Sequence, residues 1–216
     1  MPSEYTVEPH IQYASLEHQG DSAQDCMWVF LATETVFFGA IIFTYFLYRV
    51  FYSAEFDVAG KDAVFWCGSV NIGILLTSSL TMVLAVNSGA QGRRRAMIWW
   101  LIATMALGFI FMAVKGYEYY QDFTDRVVPA VNFLMKPEEA PAGELFWDFY
   151  WIATALHAIH LTIGLALIAY VLLWRIRRGE ITPEYYQPLE VIAIYWSFVD
   201  TVWLFLYPSI YLLGRS

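Results

Sequence analysis

Apolar residues gather along the chain into five long stretches, and most charged residues lie in the segments between them. An α-helix rises about 1.5 Å per residue, so about 20 apolar residues cross the roughly 30 Å hydrocarbon layer of a membrane. A spanning strand would instead be about ten residues long and alternate in polarity. The pattern therefore predicts an all-α, polytopic membrane protein with five transmembrane helices, at residues 27–48, 64–86, 97–117, 149–174 and 189–213.

The composition supports this fold class. Apolar residues make up 59% of the chain and charged residues 15%, against about half and about a quarter in soluble domains. The net charge of −8 does not favour a nucleic-acid partner, which requires clustered Lys and Arg. Residues 1–24 contain no Lys or Arg and no apolar core, so they are not a cleavable signal peptide. We expect a polar, acidic tail over 1–24 and a membrane domain over 25–214.

The connections between the predicted helices indicate an orientation. The connection between the second and third helices contains Arg93–Arg95, and the connection between the fourth and fifth has three arginines within Arg175–Arg178. Short loops rich in Lys and Arg stay in the cytoplasm. This predicts a cytoplasmic N-terminus and an external C-terminus, in a multi-pass protein of the cell's inner (plasma) membrane.

The same topology separates the two cysteines. Cys26 falls at the predicted cytoplasmic end of the first helix and Cys67 at the external end of the second. A disulfide requires Cα atoms within about 7 Å of each other. No intrachain disulfide is therefore expected.

Small residues recur at every fourth position of the second predicted helix. Small side chains let a neighbouring backbone approach closely, which is how helices associate in lipid. We therefore predict a packing surface along this stripe, either within the bundle or against another subunit. The stripe comprises Ser69, Gly73, Thr77, Thr81, Ala85 and Gly89.

Ionisable side chains at membrane depth cost about 2.5–3.5 kcal/mol each on insertion scales, so each needs a physical reason. Three helices contain such residues well inside the apolar stretch: Glu34 in the first, His157 and His160 in the fourth, and Asp200 in the fifth. The two histidines are one turn apart, which predicts that they share a face. Lys115 and Glu118 lie near the external end of the third helix, where we expect them to pair and to snorkel towards water.

His160, Glu34 and Asp200 fall at similar depths when each is counted from its helix end. A carboxyl group beside His160 would lower the desolvation cost of both groups, or it could stay protonated and donate a hydrogen bond. We favour Glu34 as the partner, and Asp200 is the competing choice. A purely structural alternative is that these residues form inter-helical hydrogen bonds worth about 1 kcal/mol each.

The histidine spacing does not favour a metal or haem site. Di-iron centres in helical bundles use Glu-x-x-His motifs on two helices, whereas this chain has one His-x-x-His motif. Haem with two histidine ligands needs them on opposing helices, and His10 and His18 both lie in the tail. We predict no metal, no redox cofactor and no catalytic residue in this chain.

Four segments, in this order, resemble the cytochrome c oxidase subunit III family. They are Phe30–Gly39, Lys115–Tyr120, Ala155–Gly164 and the long closing segment Ile194–Gly214. The resemblance covers all five predicted spans. It implies that Glu34 is the carbodiimide-reactive glutamate of the family and that His160 is its partner.

The resemblance also implies a function for the whole chain. A subunit III binds the haem–copper subunit I, together with subunit II and in some cases a larger respiratory supercomplex. It carries no redox centre, binds phospholipids, supports proton uptake by the catalytic subunit and protects the oxidase from inactivation. The enzyme to which it would belong is an oxidoreductase and proton translocase.

Two departures from the mitochondrial pattern leave alternatives open. The chain lacks the first two of seven helices, and Ser197 stands where mitochondrial members have a histidine. Five-helix members also occur in quinol oxidases and in relatives associated with nitric oxide reductase. A small proton-coupled transporter is a further alternative, although transporters usually have inverted repeats and helices broken at mid-membrane.

The N-terminal tail suggests one more hypothesis. Its acidic residues and histidines would lie on the side of proton uptake, where they could form a proton-collecting surface. The residues concerned are Glu4, Glu8, His10, Glu17, His18, Asp21 and Asp25. The alternative is a solvated tail that packs on neighbouring subunits.

Overall fold

The computed structural model describes residues 11–62, 64–131, 133–134 and 140–213. Its helices are α1 (Leu16–Phe51), α2 (Ser53–Asp62), α3 (Phe65–Ala90), α4 (Arg94–Thr124), α5 (Ala140–Tyr170, continued by a π-helical turn at Val171–Arg175) and α6 (Gln187–Tyr207, continued by a π-helical turn at Pro208–Leu212). Five of these helical segments are long and apolar enough to cross a membrane. The predicted all-α class and five transmembrane helices are confirmed.

Helix α1 begins at Leu16, inside the segment that the sequence pattern assigned to the tail. The Ser15 hydroxyl accepts a hydrogen bond from the His18 N–H at 3.1 Å, which caps the helix, and Glu17 in the first turn suits the helix dipole. Helix α1 therefore extends beyond the predicted span into the segment assigned to the tail, because hydropathy marks where a helix enters lipid and not where it begins.

The acidic side chains of the first turns of α1 are solvent-exposed. Glu17, Asp21 and Asp25 follow each other at four-residue spacing and so line one face of the helix. The remaining acidic residues of the proposed proton-collecting surface, Glu4 and Glu8, lie outside the described residues, as does His10. The surface itself stays a prediction.

The short helix α2 was not predicted. It follows α1 after Tyr52 and buries Phe56 and Ala59 completely. The Phe56 ring packs on Tyr45 of α1 and on Phe146 of α5, with ring centroids 5.5 and 5.8 Å away. Only these two positions, one turn apart, signalled a helix in an otherwise polar segment.

The two arginine-rich connections lie together. Gly92 makes the tight turn between α3 and α4 with φ of +68°, and a Cβ atom there would lie 3.0 Å from Pro183 in the α5–α6 connection. The Arg94 guanidinium donates a hydrogen bond to the Ile176 carbonyl at 2.6 Å. We call this end of the bundle the basic end and the other the opposite end. Which membrane face each end occupies stays a prediction.

The centre of the bundle is built around α6. Trp196 is fully buried, and its Nε1 donates a hydrogen bond to Ser78 Oγ on α3 at 3.0 Å. A Cβ atom at Gly108 of α4 or at Gly164 of α5 would lie 3.0–3.1 Å from the Trp196 ring. The two glycines therefore allow α4 and α5 to approach this large side chain closely.

The stripe of small residues on α3 contacts two neighbouring helices, α6 and α4. Ser69 Oγ lies 2.8 Å from Tyr207 Oη, whereas Thr81 Oγ1 lies 2.8 Å from Thr104 Oγ1 on α4. Gly73 and Thr77 between them are exposed. At 3.6 residues per turn, four-residue spacing drifts by about 40° at each step, so the stripe winds around the helix. The packing surface is thus divided between neighbours within the chain, and contact of its exposed part with another subunit stays a prediction.

The cysteines lie far apart in the bundle. Cys26 is on the part of α1 nearer the basic end, and Cys67 is in the first turn of α3 at the opposite end. Both are free thiols.

Candidate functional site

The structure brings Glu34 of α1 and His160 of α5 into contact. Glu34 Oε2 lies 3.2 Å from His160 Nε2. The side chains are 19% and 13% exposed, so the pair lies at the edge of the bundle and not in its core. Of the two partners that the sequence allowed for His160, the structure selects Glu34.

The hydrogen bonds of His160 define how many protons this pair holds. His160 Nδ1 lies 2.8 Å from the Leu156 carbonyl, which can only accept, so Nδ1 carries a proton. The Glu34 contact at Nε2 then requires one further proton. Either a protonated Glu34 donates to the neutral ring, or an imidazolium donates to a carboxylate. The Glu34–His160 pair is thus a contact that holds one proton at either of two places.

Aromatic groups fix the position of this pair. The Phe38 ring lies one turn along α1 from Glu34 and meets the His160 ring edge-on, with centroids 5.1 Å apart. Tyr195 of α6 donates a hydrogen bond from its hydroxyl to the His160 carbonyl at 2.9 Å. The pair therefore sits where α1, α5 and α6 meet.

Asp200 makes a separate contact. Its Oδ2 accepts a hydrogen bond from Ser79 Oγ of α3 at 2.5 Å, and its Oδ1 has no hydrogen-bond partner among the described residues. The competing interpretation, in which Asp200 pairs with His160, was wrong. Depth counted from helix ends did not show which side of α6 the carboxyl group occupies.

His157 faces away from the Glu34–His160 pair. Its ring lies 4.9 Å from the Trp203 ring and 5.5 Å from the Phe111 ring, measured between centroids, and it is almost fully buried. Neither of its ring nitrogens has a hydrogen-bond partner within the described parts of the chain. The two histidines, one turn apart on α5, therefore make different contacts, because His157 packs on α4 and α6 while His160 contacts α1.

A second group of ionisable side chains lies at the opposite end. Lys115 and Glu118 are paired, with 3.1 Å between Nζ and Oε2, at an angle outside that of a hydrogen bond. Both are buried, at 2% and 0% exposure of their side chains. The expectation that Lys115 snorkels to water was wrong, because two tyrosines receive its ammonium group inside the protein.

Those tyrosines come from other helices. Lys115 Nζ donates to Tyr150 Oη of α5 at 3.0 Å and to Tyr211 Oη of the turn after α6 at 2.9 Å. Tyr211 Oη donates in turn to Glu118 Oε1 at 2.6 Å. Tyr150 Oη also lies 2.9 Å from Glu118 Oε1 and 2.6 Å from Asp122 Oδ2. We call these five residues the lysine cluster.

Sequence reasoning missed three members of the lysine cluster, Asp122, Tyr150 and Tyr211. Asp122 had a signal, because it follows Lys115 and Glu118 on the same helical face at a spacing of seven and four residues. The two tyrosines lie in apolar stretches that contain many aromatic residues. Only the packing of α5 and α6 on α4 identifies them.

An apolar groove of about 490 Å³ runs between α1 and α6. Its walls include Trp28 and Leu31 of α1 and Ile194 and Phe198 of α6. The hydroxyl-bearing Ser197, at the position where mitochondrial members have histidine, also lines it. Among the described residues, no three His, Cys, Asp or Glu side chains converge as metal ligands.

The five spans and the acid–imidazole pair between α1 and α5 define a polytopic helical membrane protein with ionisable groups held inside its bundle. The family model of cytochrome c oxidase subunit III matches residues 18–215, and the chain belongs to this family. The resemblance noted in the sequence is thereby confirmed. The chain is a subunit III of a haem–copper oxidase complex, which is an oxidoreductase, and membership implies association with other subunits of that complex.

Individual relatives differ in name. A probable quinol oxidase subunit 3 of Staphylococcus aureus (strain USA300) is 26% identical over 203 residues, which is 93% of each chain. A cytochrome c oxidase subunit 3 of Gadus morhua is 36% identical over 148 residues, covering 67% of this chain and 49% of that one. The two names agree on subunit III and differ on the oxidase.

Proposed function

We propose that this chain is the non-catalytic subunit III of a respiratory terminal oxidase of the cytochrome c oxidase type. In this proposal haem and copper belong to partner subunits, and this chain stabilises the catalytic subunit I and supports its proton uptake. The observation that carries the proposal is the Glu34–His160 contact of 3.2 Å, at the edge of the bundle and at the family's reactive glutamate.

The location of the pair suits a role that depends on a neighbouring subunit. Only 11% of the most apolar part of α1 is buried within this chain, so most of its surface meets lipid or another protein. A group that holds one proton at either of two places responds to the charge of whatever covers that surface. We infer that the proton position at Glu34 and His160 follows the state of the catalytic subunit beside it.

Phospholipid is the proposed occupant of the α1–α6 groove. Its apolar walls, including Leu31 and Phe198, match acyl chains, and α1, which forms one wall, has few residues buried within the chain. We place the protein in the plasma membrane with its basic end in the cytoplasm, because Arg93–Arg95 and Arg175–Arg178 follow the positive-inside rule there.

A quinol oxidase is the second candidate. It is favoured by the similarity to the probable quinol oxidase subunit 3, which extends over 93% of both chains. Purifying the complex and measuring oxygen consumption with reduced cytochrome c and with a quinol separates the two. Subunit II and subunit I are expected to copurify in either case.

Replacing the proton-holding pair tests the proposed role. In the assembled oxidase, Glu34→Gln and His160→Asn should each reduce the number of turnovers before inactivation and slow proton uptake. The initial rate of oxygen consumption at saturating electron donor should stay near that of the parent enzyme. Thr33→Val is the matched control, because Thr33 is exposed on α1 and its hydroxyl bonds only to the Phe30 carbonyl at 2.6 Å.

Two results would contradict the proposal. One is an unchanged turnover lifetime and proton uptake in both pair variants. The other is a chain that purifies alone, without a haem-bearing companion, and transports a solute in liposomes, as the transporter alternative requires.

A further inference from the structure

We infer that Asp122, Tyr150 and Glu118 form a binding site for one exchangeable proton at the opposite end of the bundle. This site is separate from the Glu34–His160 pair, and it does not depend on which electron donor the oxidase uses. Its ligand is a proton supplied by the aqueous phase at that end.

The charges of the lysine cluster call for an additional proton. Glu118 and Asp122 are two carboxyl groups, with 0% and 2% exposure, and the lysine cluster contains one ammonium group, that of Lys115, which is paired with Glu118. Burial of an unpaired carboxylate is far more costly than burial of a neutral carboxyl group, so such groups take up a proton instead. Full ionisation would leave one net negative charge inside the bundle.

The hydrogen bonds at Tyr150 lead to the same count independently. Its hydroxyl oxygen has one proton to donate and two lone pairs to accept with. Lys115 Nζ at 3.0 Å can only donate to it. Glu118 Oε1 at 2.9 Å and Asp122 Oδ2 at 2.6 Å cannot both accept its one proton. One of these two carboxyl groups must therefore donate to Tyr150, and only a protonated one can.

Asp122 is the carboxyl group that holds the proton. Glu118 faces the Lys115 ammonium and accepts the Tyr211 hydroxyl proton at 2.6 Å, and both contacts favour its charged form. Asp122 has the Tyr150 contact alone among its described hydrogen bonds. Protonated Asp122 then donates to Tyr150, Tyr150 donates to Glu118, and Tyr150 accepts from Lys115. All three hydrogen bonds of the Tyr150 hydroxyl are consistent with one added proton.

Other elements that pack on the site add charge of the same sign or none. Cys67 of α3 lies near enough to interact electrostatically with Lys115, Glu118 and Asp122. The Tyr119 ring of α4 lies with its centroid 5.1 Å from Lys115 Nζ, and its hydroxyl shares a hydrogen bond of 2.8 Å with Thr154 Oγ1. Asp125, one turn beyond Asp122, adds repulsion, which favours a neutral Asp122.

The position of Asp122 gives the proton a route to water. It lies in the last turn of α4, which ends at Thr124, and Thr124 and Asp125 are exposed. Glu118 lies one turn deeper and Lys115 two turns deeper. Fluctuations at the frayed end of the helix therefore reach Asp122 before the rest of the lysine cluster.

Infrared difference spectroscopy on the assembled oxidase tests this site. The parent enzyme should show the C=O stretching band of a protonated carboxylic acid that shifts on transfer to D₂O and weakens at alkaline pH. Asp122→Asn should remove that band and still assemble, because an amide also donates a hydrogen bond to Tyr150 without charge. Asp125→Asn, on the exposed end of the same helix, is the matched control and should keep the band.

Two further variants, at Tyr150 and Glu118, test the proposed hydrogen bonds and charges around Asp122. Tyr150→Phe should move the band, since its hydrogen-bond partner is lost. Glu118→Gln should weaken it, because Asp122 is then the one carboxyl group of the cluster that can balance the charge of Lys115. The inference is overturned if the carboxyl bands of Asp122→Asn and the parent enzyme coincide at every pH. It is equally overturned if Asp122→Asn fails to assemble while Asp125→Asn assembles, because the neutral amide would then not replace the native group.

Discussion

The Glu34–His160 pair and the lysine cluster solve the same problem, ionisable groups inside a membrane bundle, in different ways. The pair consists of one contact between two side chains that are 19% and 13% exposed. The lysine cluster links five side chains from α4, α5 and the turn after α6, and its ion pair is 2% and 0% exposed. A fully buried ionisable group must find its hydrogen-bond and charge partners within its own chain. A group at the edge of the bundle can also find them in lipid or in a partner subunit.

The helices that carry the two sites also differ in the share of their residues that is buried within the chain. In the most apolar part of α1, 11% of the residues are buried, against 28% in that of α4, which carries Lys115, Glu118 and Asp122. This difference in burial indicates which of the two sites depends on contacts with the other subunits of the oxidase. Changes in the lysine cluster should alter the stability of this chain, and changes in the Glu34–His160 pair should alter its behaviour within the oxidase.

The largest effect is expected for Lys115→Met. Methionine is similar in length but leaves Glu118 without its counter-ion, and removing one partner of a buried ion pair typically costs about 3–5 kcal/mol. We expect a large fall in the thermal midpoint of the detergent-solubilised oxidase and loss of this subunit during purification. Arg95→Gln, at an exposed position of α4, is the control and should change neither. Wild-type stability in Lys115→Met would show that the two sites do not differ as described.

A smaller effect on stability is expected from alanine substitutions at two glycines, one near each site. A Cβ atom at Gly68 would lie 2.9 Å from Cδ2 of Tyr211, whereas a Cβ atom at Gly39, on α1, would meet nothing within 4 Å. Overpacking of this kind costs about 1–3 kcal/mol, so Gly68→Ala should destabilise the protein. Gly39→Ala should be neutral or slightly stabilising, since alanine favours helix. Equal thermal midpoints for the two variants would contradict the packing contrast.

The smallest change in stability is expected for Glu34→Gln. The amide keeps a hydrogen bond to His160 Nε2, and the net loss for a partly exposed contact is about 1 kcal/mol or less. Subunit retention and thermal midpoint should stay close to those of the parent enzyme, although the turnover lifetime falls. A loss of stability as large as that of Lys115→Met would mean that the pair is as structural as the lysine cluster.

The sequence predicted what depends on hydropathy and periodicity, and it failed where packing decides. The five spans followed from apolar length, and the Glu34–His160 contact followed from similar depth together with the resemblance. The side on which Asp200 lies depends on the rotation of α6, which depth does not specify. The lysine cluster depends on the approach of Tyr150 and Tyr211, both from apolar segments without polar periodicity. Helix α2 has too few apolar residues to be distinguished from a loop.

The length of α1 has a consequence for the outline of the assembled enzyme. Its 36 residues extend about 54 Å, well beyond a hydrocarbon layer of roughly 30 Å. Near its N-terminus, Gln24 Nε2 donates to Glu190 Oε2 at 2.8 Å and Gln19 Nε2 donates to Tyr185 Oη at 2.6 Å, so the projecting part is braced against the start of α6 and the connection before it. The first turns of α1 are therefore held against the rest of the bundle, and their exposed Glu17 and Asp21 give this part of the helix a negative charge. We expect a soluble protein that docks at this part of the chain to be selected by that charge.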